Sequence, residues 1–231
     1  MRITASEIAK MIDLSCVRTW STRADIEEMV NAAINYGFGQ VSVLQCFIPY
    51  TRQLLVGHEG IRVVGNVSFP SGSDSTTIKV AQAREMLAAG CDEIDMVMNI
   101  GRLKSGEITE VVEDVMAVSG AVIPLPLKVI IELMYLTPAE VKQACLICVE
   151  CGVDFVKTGT GWAERGTTLE DVRLVKSFVG DRVKIKASGG IRDLETLLEM
   201  YRAGTRRFGV NLKSGIEIVR QAMDAGESIE V

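Results

Sequence analysis

Residues 128–158 read KVIIELMYLTPAEVKQACLICVECGVDFVKT, and they hold one full period of the pattern that decides the fold. Residues 128–132 form a short β-rich run, 138–150 have helical spacing, Gly152 follows where a left-handed cap is needed, and 154–158 form a second β-rich run. The unit recurs on both sides. Strand candidates run near 12–15, 40–44, 62–68, 93–98, 128–132, 154–158, 183–187 and 207–210. Between them lie helical patterns such as 23–36, 77–89, 110–119, 138–150, 169–178 and 193–202, with Gly37, Gly90, Gly152, Gly180 and Gly204 at their ends.

Strict alternation of strand and helix with short links implies a parallel sheet. Eight such units predict an α/β fold of the closed (β/α)8 TIM-barrel type, with an open flavodoxin-like sheet as the alternative. A length of 231 residues suits one barrel, so a single domain over residues 1–231 is expected, preceded by a short helix at 5–11.

Composition narrows the function. With 48% apolar and 24% charged residues the chain should fold, and a net charge of -5 without a basic stripe argues against a nucleic-acid partner. The N-terminus lacks a secretory signal and no run of about 18 uncharged apolar residues occurs, so a cytoplasmic protein without a membrane partner is expected. The six cysteines suit reduced thiols. Cys145, Cys148 and Cys151 have the spacing of part of an iron–sulfur set, but they lie on one stripe of a helical pattern and read as core. His58, the single histidine, leaves no Ser–His triad and no multi-histidine metal site, and reads as a solvated loop residue.

Barrels of this kind carry their reactive groups at the carboxyl ends of the strands. Charged residues stand there on three of the predicted strands: Asp95, Lys157 and Lys186. A lysine among apolar strand residues is disfavoured in its charged form, and a second ammonium nearby disfavours it further. The resulting neutral amine is a nucleophile suited to imine formation with an aldehyde, and an adjacent carboxylate can relay protons. Gly161, Gly189 and Gly190 follow these strands, where backbone amides can cradle an anion. Lys128 and Glu132 share strand parity and are expected in a supporting polar network inside the barrel. Lys184 shares parity with Lys186 and is placed near the opposite mouth, without a role.

Asp92-Glu93-Ile94-Asp95, Leu127-Lys128-Val129-Ile130-Ile131-Glu132, Asp154-Phe155-Val156-Lys157-Thr158-Gly159-Thr160-Gly161 and Lys186-Ala187-Ser188-Gly189-Gly190-Ile191-Arg192 closely resemble the deoxyribose-phosphate aldolase family. Weaker echoes occur at Asp13-Leu14-Ser15 and Phe69-Pro70-Ser71-Gly72-Ser73-Asp74, and the match runs from about 12 to 209. The resemblance implies a class I aldolase that needs no cofactor and joins acetaldehyde to glyceraldehyde 3-phosphate, or cleaves 2-deoxyribose 5-phosphate. Small aldehydes and sugar phosphates are then its partners. It implies Lys157 as the Schiff-base lysine, Lys186 as the neighbour that lowers its pKa, and Asp95 as the proton relay, with Asp13, Ser15, Lys128, Glu132 and Thr158 in support.

Departures cluster where the family holds phosphate. Asn211-Leu212-Lys213-Ser214 replaces a run with serines, Trp162 stands beside the expected phosphate end, and the usual proline after the second strand is missing near Gln45. Gly161, Gly189 and Gly190, with Asn211, Lys213 and Ser214, are the expected phosphate ligands. Three other readings remain open: an imine-forming aldolase with a different or non-phosphorylated acceptor, an isomerase that needs a carboxylate but no reactive lysine, and a non-catalytic sugar-phosphate-binding barrel. A homo-oligomer, dimer or tetramer, is also expected, with the helix at 5–11 as a contact.

Overall fold

The computed structural model describes residues 2–231. A two-residue strand, β1 (Arg2–Ile3), leads into α1 (Ala5–Met11), and the barrel opens with β2 (Ile12–Cys16), α2 (Arg23–Tyr36) and β3 (Gln40–Val43). Then follow α3 (Ile48–Leu54), β4 (Arg62–Val67), α4 (Thr76–Ala88), β5 (Glu93–Val97), α5 (Ile100–Lys104), α6 (Ile108–Val122) and β6 (Leu127–Ile130). The remainder is α7 (Pro138–Glu150), β7 (Phe155–Lys157), α8 (Leu169–Val179), β8 (Lys184–Ser188), α9 (Leu194–Arg202), β9 (Thr205–Asn211), α10 (Leu212–Asp224) and β10 (Ile229–Glu230).

Strands β2 to β9 form a closed parallel barrel, sealed where β2 meets β9 with Leu14 opposite Val210. The predicted fold is therefore the observed one, and closure removes the open-sheet alternative. Four helices start on capping boxes in which a threonine and an acid three residues later exchange hydrogen bonds, as Thr137 and Glu140 do for α7. Gly37 ends α2 in the left-handed region, as expected; Gly180 has a positive φ but ψ -129°, outside that region.

Side chains alternate across each strand, so register decides what enters the barrel. Leu14, Val41, Val63, Ile94, Met96, Val129, Val156, Ile185 and Phe208 are buried in the core that the helices cover. The opposite parity puts Asn66 beside Asp95, Asp95 beside Lys128, and Lys157 beside Lys186. The barrel interior is thus unusually polar, and its charges must be satisfied internally. Lys128 Nζ lies 2.6 Å from Glu93 and 2.9 Å from Asp95, while Arg62 reaches Glu93 at 2.6 Å from the amino-terminal mouth. Lys184 is exposed at that same mouth, 5.5 Å from the Phe155 ring, as its parity suggested.

Two expectations fail at the carboxyl ends of strands. β6 ends at Ile130, so strand parity does not orient Glu132; it sits in a turn with φ 43°. Likewise 212–214 are the first turn of α10, with Asn211 as its N-cap, rather than a loop after the last strand. Helix α1 buries Ile8 and Ala9, packs against α10 and leaves Ser6, Glu7 and Lys10 outward. Cys145 and Cys148 lie in the core, where burial pushes the Cys145 thiol up to about 12 and Cys148 well above the usual thiol range. His58 is exposed in a loop.

One buried ion pair outside the barrel fastens the helical layer. Lys79 of α4 donates to Asp114 of α6 at 2.5 Å and to the Val97 carbonyl of β5 at 3.0 Å. Asp114→Ala would leave the buried ammonium unpaired, and a loss of about 3–5 kcal/mol is expected, read as a lower urea midpoint at unchanged slope.

Burial alone would raise the Glu93 pKa, but Lys128 and Arg62 bring it down to about 2 from 4.5. A carboxylate depressed in the fold stabilises it fully above the unfolded value and ceases to do so as pH falls through the folded one. On the order of 3 kcal/mol should disappear between pH 4.5 and pH 2. Urea titrations across that window should give a flatter dependence for Glu93→Gln; equal slopes would contradict the assignment.

Candidate active site

The carboxyl half of the barrel gathers the three residues singled out for chemistry. Asp95 projects inward from β5, and its Oδ2 accepts from Lys157 Nζ of β7 and from Lys186 Nζ of β8, each at 2.8 Å. Its Oδ1 accepts from Lys128 Nζ at 2.9 Å. Lys186 also donates to Asp13 of β2. Between Ile185 and Lys186 the pairing of β8 with β9 shifts register, so that Lys186 stands opposite Arg207. Gly209 then leaves room: a Cβ there would lie 2.6 Å from Ser188 Oγ and 3.6 Å from Lys186 Cε.

These contacts separate the two lysines electrostatically. For Lys157, burial is the largest influence and favours the neutral amine; Lys186 adds to it, Asp95 opposes it, and the pKa ends below the usual lysine value. Burial also works against the charged form of Lys186, yet Asp13 and Asp95 outweigh it and raise its pKa. Asp95 is fully buried, but the ammonium groups of Lys128, Lys157 and Lys186 hold it well below the usual carboxylate range. The result is a depressed amine, a stable ammonium and an ionised carboxylate within hydrogen-bond reach of each other, a set suited to carbonyl addition and proton transfer.

Lys157, Lys186, Asp13 and Ser15 line a narrow inner pocket of about 10 Å³. It shares Ser15, Thr160, Ser188 and Gly209 with an outer cleft of about 370 Å³. The outer cleft is built by the loops after β2, β7, β8 and β9, and Gly161, Gly189, Gly190, Asn211 and Lys213 all border it. Gly189 has φ 93°, which a side chain rarely tolerates, and its carbonyl accepts from Thr167 N–H at 3.0 Å. Thr158 fastens the same loops: its hydroxyl meets Thr167 Oγ1 at 2.7 Å and accepts from Ser188 N–H at 3.0 Å. Glu132 accepts from the Thr160 amide at 3.2 Å and from its hydroxyl, holding the β7 loop from the other side. Ser15 donates to the Val210 carbonyl at 3.0 Å.

Ser214 is not brought to the cleft wall. It is buried, and its N–H donates to the Asn211 side chain at 2.9 Å as part of the helix cap. Leu212 and Lys213 border the cleft instead, and as first-turn residues their amides have no intrahelical acceptor. Sequence reasoning also missed Arg18, which donates to the Gly161 carbonyl at 2.9 Å with its guanidinium 5.1 Å from the Trp162 ring and 5.9 Å from that of Trp20. No motif marks Arg18, whereas Arg192, also on the cleft, stands at the end of a quoted motif.

A family model described as DeoC/LacD family aldolase matches residues 7–224. A deoxyribose-phosphate aldolase of Sinorhizobium medicae is 44% identical over 215 residues, 93% of this chain and 87% of the relative. One of Carboxydothermus hydrogenoformans is 42% identical over 229 residues, 97% of this chain and 99% of the relative. Among solved structures, an aldolase titled QR15 superposes with a TM-score of 0.88 at 38% identity, covering 94% of this chain and 96% of its own. With the barrel, the buried lysines and these likenesses in agreement, the chain belongs to the DeoC/LacD family of aldolases.

Proposed function

We propose that this lyase interconverts 2-deoxyribose 5-phosphate with glyceraldehyde 3-phosphate and acetaldehyde through an imine on Lys157. The observation that carries the reading is the shared Asp95 carboxylate, 2.8 Å from both Lys157 and Lys186, the two lysines that line the inner pocket next to the cleft.

The neutral Lys157 amine attacks C1 of the open-chain sugar, and a proton passes from nitrogen to oxygen. Asp95 takes the proton from nitrogen, and loss of water leaves an iminium. The C2–C3 bond breaks with its electrons drawn into the iminium, the C3 hydroxyl gives its proton to the Asp95 relay, which later returns it to the enamine carbon, and glyceraldehyde 3-phosphate departs. Protonation of the enamine carbon and addition of water release acetaldehyde and regenerate Lys157. Lys186, held charged by Asp13 and Asp95, keeps a positive charge beside Lys157 and so favours its neutral form. The amides around Gly161, Gly189 and Gly190, the first turn of α10, and the side chains of Arg18, Arg192 and Lys213 are suited to the phosphate. Trp162 and Leu212 narrow that end without supplying charge.

The whole chain acts as one domain in this reading. A cytoplasmic setting is supported by six unpaired thiols, and no helix among the described residues is long and apolar enough to cross a membrane. Self-association through the outer helices is part of the same proposal, supported by exposed Met116 on α6 and Leu146 on neighbouring α7.

Borohydride reduction in the presence of acetaldehyde should add one reduced adduct to the wild-type mass and none to Lys157→Ala, and only the wild type should cleave 2-deoxyribose 5-phosphate. An adduct on the variant would remove Lys157 from the role, and no adduct on either protein would remove imine chemistry. In kcat/KM against pH, the limb that rises as Lys157 loses its proton should move upward by about one pH unit in Lys186→Met, because the charge that disfavours the ammonium is gone. An unmoved limb would exclude this function for Lys186.

A further inference from the structure

Above the barrel, between the ends of β3 and β4, a recess of about 260 Å³ adjoins the inner pocket, and Asn66 and Phe69 line both. It lies on the wall away from the β8 and β9 loops that border the outer cleft. Two buried side-chain atoms here have no hydrogen-bond partner: Asn66 Oδ1 and Gln45 Nε2. Leaving such atoms unpaired is costly, and a binding site is one place where the cost is tolerated.

The Asn66 amide has a fixed orientation. Its Nδ2 donates to the Val43 carbonyl at 3.0 Å and to Ser42 Oγ at 2.9 Å. A carbonyl only accepts, so the nitrogen must face Val43 and the oxygen must face away from β3. Asn66 is in register with Asp95, hence on the inner side of the barrel. The orphan oxygen is therefore an acceptor at the wall of the reacting pocket, and the orphan Gln45 nitrogen is a donor in the same recess.

An unpaired donor and an unpaired acceptor on residues of one recess describe the complement of a hydroxyl, which has one proton to give and lone pairs to accept. A carbonyl oxygen would satisfy Gln45 alone, an ammonium Asn66 alone, and a methylene neither. Resting on the aldolase reading above, we infer that this recess is a hydroxyl subsite of the active pocket. Asn66 Oδ1 accepts from, and Gln45 Nε2 donates to, the secondary hydroxyl that lies between the aldehyde and the phosphate ester of the acceptor. With the phosphate in the outer cleft and the aldehyde carbon near Lys157, that hydroxyl sits on the carbon between them.

The test is the synthetic direction with acetaldehyde and two acceptors, glyceraldehyde 3-phosphate and 3-oxopropyl phosphate, which lacks the hydroxyl. Wild type should favour the hydroxylated acceptor in kcat/KM. Asn66→Leu should lower that preference about tenfold and Gln45→Leu about threefold, in each case by loss on glyceraldehyde 3-phosphate with the deoxy acceptor little changed. Equal losses on both acceptors would mean a merely structural role or a bound water and would overturn the subsite, as would a wild type that does not discriminate. Should Asn66→Leu fail to fold, Gln45→Leu, in the turn at 45–47 outside the barrel wall, decides the matter alone. A wild type inactive with both acceptors would instead reject the aldolase reading itself.

Discussion

A carboxylate without access to water, held by the side-chain nitrogens of three lysines, is the constraint around which this barrel is arranged. Asp95 accepts from Lys128, Lys157 and Lys186 at 2.8–2.9 Å. An isolated charge in that position would be prohibitive, and a half-satisfied network is worse than an apolar core. Each surrounding strand therefore contributes something: Glu93 below balances Lys128, Asp13 across the seam balances Lys186, and Gly209 yields the space that the Ser188 side chain takes beside that lysine. Chemistry follows from the one inequality in the arrangement. Lys186 has two carboxylate partners and stays charged, whereas Lys157 has Asp95 alone and faces the pocket.

The two ends of the site are built on different physics. The carbonyl end is made of side chains on strands, whose positions are set by the barrel's hydrogen-bond register to within the reach of one bond. The anion end is made of loop backbone and helix amides, tied together by Thr158, Thr167 and Glu132. The first is demanding about residue identity and the second about backbone conformation. That is why Leu212 can occupy the first turn of α10 without removing the amide it carries.

That difference also governs what the sequence revealed. Charges at strand ends stand out against apolar neighbours, so Asp95, Lys157 and Lys186 were legible, and period-two parity placed Lys128 and Lys184 correctly. Parity fails one residue beyond a strand, and it failed for Glu132, whose burial depends on a positive-φ turn and on the Thr160 amide. Arg18 and Ser214 were misjudged for a related reason. Their surroundings come from chain segments 143 residues away in the first case, and from an unread helix start in the second. The recess beside Asn66 was beyond sequence reading altogether, because an unpaired atom is defined by what fails to reach it.

The inner cluster joins three lysines to three carboxylates, those of Asp13, Glu93 and Asp95. Groups that share partners do not contribute independently, so substitutions among them cannot add. In evolutionary terms the cluster is a linked inheritance. A change at Asp13 leaves Lys186 on Asp95 alone, and a change at Lys186 strands Asp13, so these positions drift most readily in compensated pairs. Descendants of this barrel that adopt another chemistry would be expected to abandon the set together and to keep the apolar layer outside it, which depends on none of these charges.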